Sequence, residues 1–134
     1  MVEIKVSLHR GIGLIATTET GFPIIMGGTE ETVGASKRYG PAAMELVLVA
    51  LGGCLSSVML RILNSRKINV EKMEVTVRGE TMEETPRRYK HIEVEVKAEG
   101  ISREELTKAM ELAEKYCPVL WTLKENVEVK TKIG

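Results

Sequence analysis

The chain has 134 residues, with 19 basic and 19 acidic side chains that leave no formal net charge. This length predicts a single domain, residues 1–134, with a core of its own. Balanced charge and only 4% aromatic residues exclude a strongly basic, stacking surface for nucleic acid. The N-terminus alternates like a strand and has no secretory pattern, which predicts a cytoplasmic protein.

The first 40 residues predict strands and a loop. Val2, Ile4, Val6 and Leu8 alternate with polar residues, as in a half-buried strand. A second strand over 14–18 and a third over 22–26 follow, with a hairpin turn at Thr20-Gly21. Residues 27–40, rich in Gly, Thr, Ser and charge, predict a loop.

A long helix is predicted from Ala42 to about Ser65, with Pro41 in its first turn. Leu46–Leu51 is apolar on every side, which predicts burial all round and a second subunit covering part of the helix. The uncharged run 46–60 is 15 residues long, shorter than the ~20 that a membrane span needs. Gly52-Gly53 favours a kink or a close approach by another element.

Two more strands, a helix and a last strand complete the predicted order βββ-α-ββ-α-β, an α+β fold. The strands alternate around 73–77 and 92–98, and the last covers 127–133. Ser102 and Glu105 form a capping box for the second helix. Its apolar spacing places Cys117 on the buried face, and Pro118 ends it.

The two cysteines are the candidate reactive groups. Cys54 follows Gly52-Gly53, where a helix break would leave free N–H groups that favour a thiolate. Cys117 lies among the last carbonyls of its helix, which disfavours a thiolate. Cys54 would therefore attack and Cys117 would resolve, although both positions also suit inert core cysteines. With only His9 and His91 as further ligands, we expect no metal and no cofactor.

Charged residues could assist the thiols. Glu45 is the only charge in 42–60, and either orients a cation beside the thiol or favours the helix N-terminus. Nine residues separate it from Cys54, which puts the two on opposite faces of an unbroken helix. The candidate cations, each equally suited to a solvated surface, are Arg10, Arg38, Arg87 and Arg88.

The segments Pro41-Ala-Ala-Met-Glu45-Leu-Val-Leu-Val-Ala-Leu-Gly-Gly-Cys54 and Glu114-Lys-Tyr-Cys117-Pro118-Val119 resemble the OsmC/Ohr superfamily. The resemblance extends over nearly the whole chain and is strongest to the less characterised OsmC-like branch. It implies an intertwined homodimer, with long helices between antiparallel sheets and active sites at the subunit interface.

The resemblance also implies a thiol peroxidase for organic hydroperoxides, active in stress defence. Cys54 would become a sulfenic acid, and Cys117 would condense with it to form a disulfide. A dithiol, of which a lipoyl group is one type, would then reduce the disulfide. The family's catalytic Glu falls at Met44, with Glu45 beside it, and Arg10 is nearest to the family's Arg.

A non-catalytic ligand-binding or redox-sensing protein on the same fold is the alternative, because the family's Glu is displaced by one position. A ferredoxin-like regulatory module over 22–133 is a third interpretation. The fully apolar first helix argues against this module, since a ferredoxin-like helix needs only one apolar face.

Overall fold

A computed structural model describes residues 1–134, and the chain forms antiparallel sheets and helices, which confirms the predicted α+β class. The elements are β1 (Ile4–His9), β2 (Gly13–Thr18), β3 (Pro23–Met26), α1 (Glu30–Val33), α2 (Ala43–Ser65), β4 (Lys72–Thr81), β5 (Tyr89–Glu99), α3 (Arg103–Tyr116) and α4 (Pro118–Lys124). Residues group into two compact units, Met1–Val47 and Leu48–Gly134. The expected single domain stays a prediction.

The first unit contains an antiparallel sheet in the order β1-β2-β3. Its register pairs Ser7 with Ile15 and Ile15 with Ile25. Every residue of β1 is exposed, and the apolar side chains of Ile4, Val6 and Leu8 are about half exposed. The alternation thus predicted this strand correctly, but within the chain no layer covers its apolar side.

A short helix interrupts the segment that we predicted to be a loop. The Thr29 hydroxyl accepts a hydrogen bond from the Thr32 backbone N–H at 3.1 Å. The Thr32 hydroxyl in turn accepts one from the Thr29 backbone N–H at 2.9 Å. This reciprocal cap satisfies two donors at once and stabilises the single turn of α1, which Gly34 ends in the left-handed conformation.

Helix α2 runs without interruption through Gly52 and Gly53, and of the two alternatives that the sequence offered there, a kink or a close approach, the structure supports the close approach. Gly52 is explained by close approach, since a Cβ there would lie 2.9 Å from Cγ2 of Val77 in β4. Gly53 faces open space. A side chain at position 52 would therefore push β4 away from the helix.

The burial of α2 is one-sided rather than complete. Its buried residues are Leu51, Leu55, Met59 and Leu63, which recur every four positions and form one stripe. Val49 on another face is 62% exposed. Within the chain β4, β5 and α3 cover only one face, so burial on all sides, which requires a second subunit, stays a prediction.

By length and composition α2 also meets the criterion for a membrane span, with a mean hydropathy of 2.2 over 18 residues. The uncharged run 46–60 alone is too short for a span, but the whole helix is long enough. A single such helix is weak support for a membrane protein, since the core helices of soluble proteins pass the same test. Here 28% of that window is buried in the fold, and the absence of a membrane partner stays a prediction.

The second unit packs a two-stranded antiparallel sheet and α3 around the buried stripe of α2. Strands β4 and β5 pair Val75 with Val96 and Val77 with Val94. Ser102 caps α3 as predicted, its hydroxyl accepting from the Glu105 N–H at 3.1 Å, but the return bond of the predicted capping box, from the Ser102 N–H to the Glu105 carboxylate, does not form. The core consists of the α2 stripe together with Ala109, Ala113 and Cys117, which have no exposed surface.

The predicted last strand over 127–133 does not form. No hydrogen-bonded ladder includes these residues, and Val127, Val129 and Ile133 are 59%, 80% and 99% exposed. Alternation predicts the faces of a strand, but the strand itself needs a neighbouring edge to bond with. In this chain the segment pairs with the edge of neither sheet.

Candidate functional site

The fold brings the two cysteines together although 63 positions separate them in sequence. Cys54 lies on α2 beside the buried stripe and is partly exposed, whereas Cys117 is fully buried. Both are free thiols, and Cys54 packs against the buried cluster that contains Cys117. The pair therefore combines one cysteine that is partly exposed to solvent with one that is fully buried.

Burial raises the pKa of the Cys117 thiol above its ordinary value of 9.0. Desolvation disfavours the thiolate most strongly, and the hydrogen bond with Cys54 acts in the same direction. Negative charge on Cys54 adds to this effect. Hydrogen bonds from the backbone of Leu120 and Val119 oppose it but are outweighed. Cys117 is thus held as a thiol that can donate its proton.

Cys117 occupies the junction of two helices rather than the end of one. Its backbone N–H donates to the Ala113 carbonyl at 2.8 Å and closes α3. Its Sγ accepts from the Leu120 N–H at 3.4 Å and caps α4, which begins with Pro118. Pro118 ends α3 as predicted and also starts α4, where a missing N–H costs nothing. The Cys-Pro pair was the signal for this cap, and sequence analysis missed it.

No break in α2 supplies free backbone N–H groups at Cys54, because the helix is continuous there. The Ser56 hydroxyl, two residues further, donates to the Gly52 carbonyl at 2.6 Å. The predicted activation of Cys54 by a helix break is therefore wrong. The Cys117 thiol interacts with Cys54 and can donate its proton to the Cys54 sulfur.

Glu45 is engaged at the N-terminus of α2. Its carboxylate accepts from the Ala42 backbone N–H at 2.9 Å, and 3.9 Å separates it from the Arg38 guanidinium. Both side chains are more than half exposed. Of the two interpretations offered by the sequence, the first-turn acid that satisfies orphan N–H groups describes these contacts.

Arg10 and Glu45 do not pair with each other. The Arg10 guanidinium donates to the Thr32 carbonyl at 3.4 Å, so it contacts the segment that carries α1. Arg88 donates to the Pro86 carbonyl at 2.7 Å, within its own loop. The catalytic roles of Arg10 and Glu45 implied by the resemblance stay predictions.

The two histidines lie on strands. His9 ends β1 on the exposed sheet, and His91 Nδ1 lies 3.3 Å from the Glu80 carboxylate, which also binds Lys90 at 2.7 Å. The chain has no cluster of three or more His, Cys, Asp or Glu side chains that could hold a metal ion. The expectation of no metal and no cofactor stays a prediction.

A cavity of about 610 Å³, here called the α4 cavity, lies next to the thiol pair between α2, β5, α3 and α4. Its apolar wall includes Leu51, Leu55, Ile92, Val94, Met110 and Leu120. Lys90, Glu114 and Lys124 also border it. Neither cysteine lines the cavity. Leu120 connects the cavity to the thiol pair, because its N–H donates to Cys117 Sγ and the residue is part of the cavity wall.

Comparison with known proteins gives concordant matches. The family model described as OsmC-like protein matches residues 34–132. Protein YhfA of Escherichia coli K12 is 30% identical over 131 residues, which covers 96% of this chain and 93% of the relative.

Two solved structures extend the comparison to the fold. A hypothetical protein from Aquifex aeolicus VF5 superposes with a TM-score of 0.78 at 27% identity, covering 92% of this chain and 87% of that one. The organic hydroperoxide resistance protein OhrB of Bacillus subtilis superposes with a TM-score of 0.64 at 17% identity, covering 97% and 95%. The second match shows likeness of fold alone.

Proposed function

Because the chain belongs to the OsmC-like protein family, we propose that it is a thiol-dependent peroxidase that reduces organic hydroperoxides. The observation that carries the proposal is the pair of free thiols brought together in the core, one partly exposed and one fully buried. The physiological setting we propose is stress defence in the cytoplasm.

Exposure and protonation assign the order of attack. Cys54 meets the peroxide, because Cys117 has no exposed surface. The Cys54 sulfur attacks the terminal oxygen of ROOH, the O–O bond breaks, and the alcohol ROH leaves after taking up a proton. The product on the enzyme is a Cys54 sulfenic acid.

Cys117 then resolves this intermediate. Its sulfur bonds to the Cys54 sulfur, and the sulfenic hydroxyl leaves as water with the Cys117 proton. Because burial raises the pKa of Cys117, the proton is still present when the leaving hydroxyl needs it. An external dithiol, of which a lipoyl group is one type, supplies two electrons and two protons and restores both thiols.

Arg10 and Glu45 complete the proposal in the roles that the family resemblance implies, as a cation and a carboxylate that activate Cys54. A homodimer is proposed as well. The exposed apolar residues Val49, Val129 and Ile133 support it, since a partner chain would remove them from water. Light scattering at several protein concentrations tests the dimer separately from catalysis.

Turnover of cumene hydroperoxide with dihydrolipoamide tests the activity. We expect turnover by the wild-type protein, none by Cys54→Ser, and slower turnover by Cys117→Ser, in which only the external dithiol can reduce the sulfenic acid. Ser57→Ala, an exposed change on the same helix, is the matched control and should retain turnover. Full activity of Cys54→Ser would overturn the proposal.

A ligand-binding or redox-sensing protein is the second candidate. It is favoured by the α4 cavity, which offers an apolar binding volume of ordinary ligand size. It is also favoured by the exposed position of Glu45, which binds Ala42 and Arg38. Reversible disulfide formation without multiple turnover would select this function.

A further inference from the structure

The α4 cavity is large enough and apolar enough to hold a small molecule. Its volume of about 610 Å³ falls within the range of about 300–1,000 Å³ that is usual for ligand sites. Leu51 and Leu55 from α2 and Ile92 and Val94 from β5 form part of its apolar lining. Such surroundings favour an alkyl chain over a polar ligand, because burying an unpaired polar group is costly.

The charged groups around the cavity are balanced in sign. The Lys90 ammonium is neutralised by Glu80 at 2.7 Å, and His91 also faces the Glu80 carboxylate. Lys124 and Glu114 have opposite charges, and the Lys124 ammonium lies 5.6 Å from the centre of the Trp121 ring. A ligand with a net charge therefore gains little here, whereas a hydroxyl can donate to Glu114 and accept from Lys124.

The α4 wall of the cavity is connected to the thiols. Cys54 lies on α2 between the wall residues Leu51 and Leu55, and Cys117 Sγ accepts the Leu120 N–H that starts α4. A disulfide requires the two sulfurs to approach to about 2.05 Å, closer than hydrogen-bonded thiols. Because Cys117 is fully buried at a helix junction, its movement must displace Leu120 or weaken its cap.

We propose that the α4 cavity binds a neutral alkyl alcohol, and that its affinity differs between the dithiol and disulfide states of Cys54 and Cys117. The coupling rests on the proposed dithiol chemistry, and the ligand class includes the alcohol that hydroperoxide reduction releases. By linkage, a ligand that favours one redox state also shifts the dithiol–disulfide equilibrium towards that state.

Calorimetric titration with decanol tests the site. The reduced protein should bind one decanol per chain and bind decanoate and decylamine more weakly. Leu123→Trp, which places a ring at the α4 wall, should abolish binding. Leu60→Trp, on an exposed part of α2 outside the cavity, should leave it unchanged. No saturable binding, or equal binding by Leu123→Trp, would overturn the proposal.

The coupling is tested by repeating the titration on protein oxidised with diamide, whose N=N bond takes up the two thiol hydrogens as the disulfide forms. Intact mass verifies the disulfide. We expect the decanol affinity to change by about fivefold or more, and to be insensitive to diamide in Cys54→Ala. Equal affinities in the two verified states would overturn the coupling. Since diamide replaces the hydroperoxide, this result does not depend on peroxidase activity.

Discussion

The thiol pair and the Arg10–Glu45 set are built by different kinds of interaction. Cys54 and Cys117, 63 positions apart in sequence, are brought together by the packing of α2, α3 and the β4–β5 sheet. Arg10 and Glu45 lie on exposed parts of the first unit and bind a backbone carbonyl and a helix-terminal N–H. Packing therefore holds the thiols in one arrangement, whereas Arg10 and Glu45 are each held by one or two exposed polar contacts that solvent can replace.

The largest expected difference is in the free energy of unfolding, between a substitution in the packed core and one on an exposed strand. Met59 has no exposed surface, and we expect Met59→Ala to cost about 2–5 kcal/mol, because it leaves a cavity beside the α2 stripe. Leu8→Ala, at a 48% exposed position of β1, should cost less than about 1 kcal/mol in the isolated chain. Urea denaturation of both variants measures this. A larger loss for Leu8→Ala would mean that another surface covers β1.

The glycine pair of α2 gives the next largest effect. Gly53→Ala should stabilise the protein by up to about 1 kcal/mol, since it raises helix propensity in open space. Gly52→Ala places a methyl 2.9 Å from Val77 Cγ2, and we expect it to be about 1–3 kcal/mol less stable than Gly53→Ala. Thermal melting of the two variants is sufficient, and equal melting temperatures would contradict the close approach of β4.

Stability should also decline with pH because of Cys117. Its pKa is raised in the folded state, so the unfolded chain loses this proton first. The protonated Cys117 thiol therefore contributes to the free energy of unfolding in full below the ordinary thiol pKa of 9.0. This contribution is lost as the pH rises from 9.0 through the raised pKa of the folded state. Urea midpoints measured across this alkaline range should fall, and fall less steeply in Cys117→Ala, which controls for all other groups. Equal slopes would contradict a buried, protonated Cys117.

The smallest stability effects belong to the charged set. We expect Glu45→Gln to cost about 0.3–1 kcal/mol through the weakened interaction with the α2 N-terminus. Arg38→Gln should cost about 0–1 kcal/mol and lose this difference at high salt, because the 3.9 Å ion pair is exposed. Denaturation at low and high salt checks both. A salt-independent loss above about 2 kcal/mol for either variant would contradict the exposed placement.

The same charged variants separate a local role from a catalytic one. If Arg10 and Glu45 activate Cys54 as proposed, Arg10→Gln and Glu45→Gln should lower kcat/KM for cumene hydroperoxide about 100-fold while Arg38→Gln does not. Unchanged kcat/KM in both variants would leave them with only their contacts to Thr32 and Ala42.

Periodicity predicted the elements whose partners lie in the same chain. The alternation of β4 and β5, the stripe of α2 and the Ser102 cap all follow from spacing that one chain can satisfy. It failed for 127–133, which pairs with neither sheet of the chain. The full burial of α2 stays a prediction, since it requires a second subunit to cover the faces that one chain leaves open.

The candidate site shows the same division. Local sequence indicated that Cys54 and Cys117 lie on apolar helical positions, and the family resemblance implied that they meet. The cap formed by Cys117 Sγ and the Leu120 N–H depends on where α4 begins, and Pro118 was read only as the end of α3. The partner of Glu45 could not be deduced, because several arginines in flexible sequence contexts were equivalent candidates.

The most direct measurement is the intact mass of the reduced protein after one equivalent of cumene hydroperoxide, with no reductant present. We expect consumption of the peroxide and a mass lower by about 2 Da, with peptide mapping placing the new bond between Cys54 and Cys117. Unconsumed peroxide and two unmodified thiols would contradict the peroxidase proposal, and with it the assignment of Cys54 as the attacking sulfur.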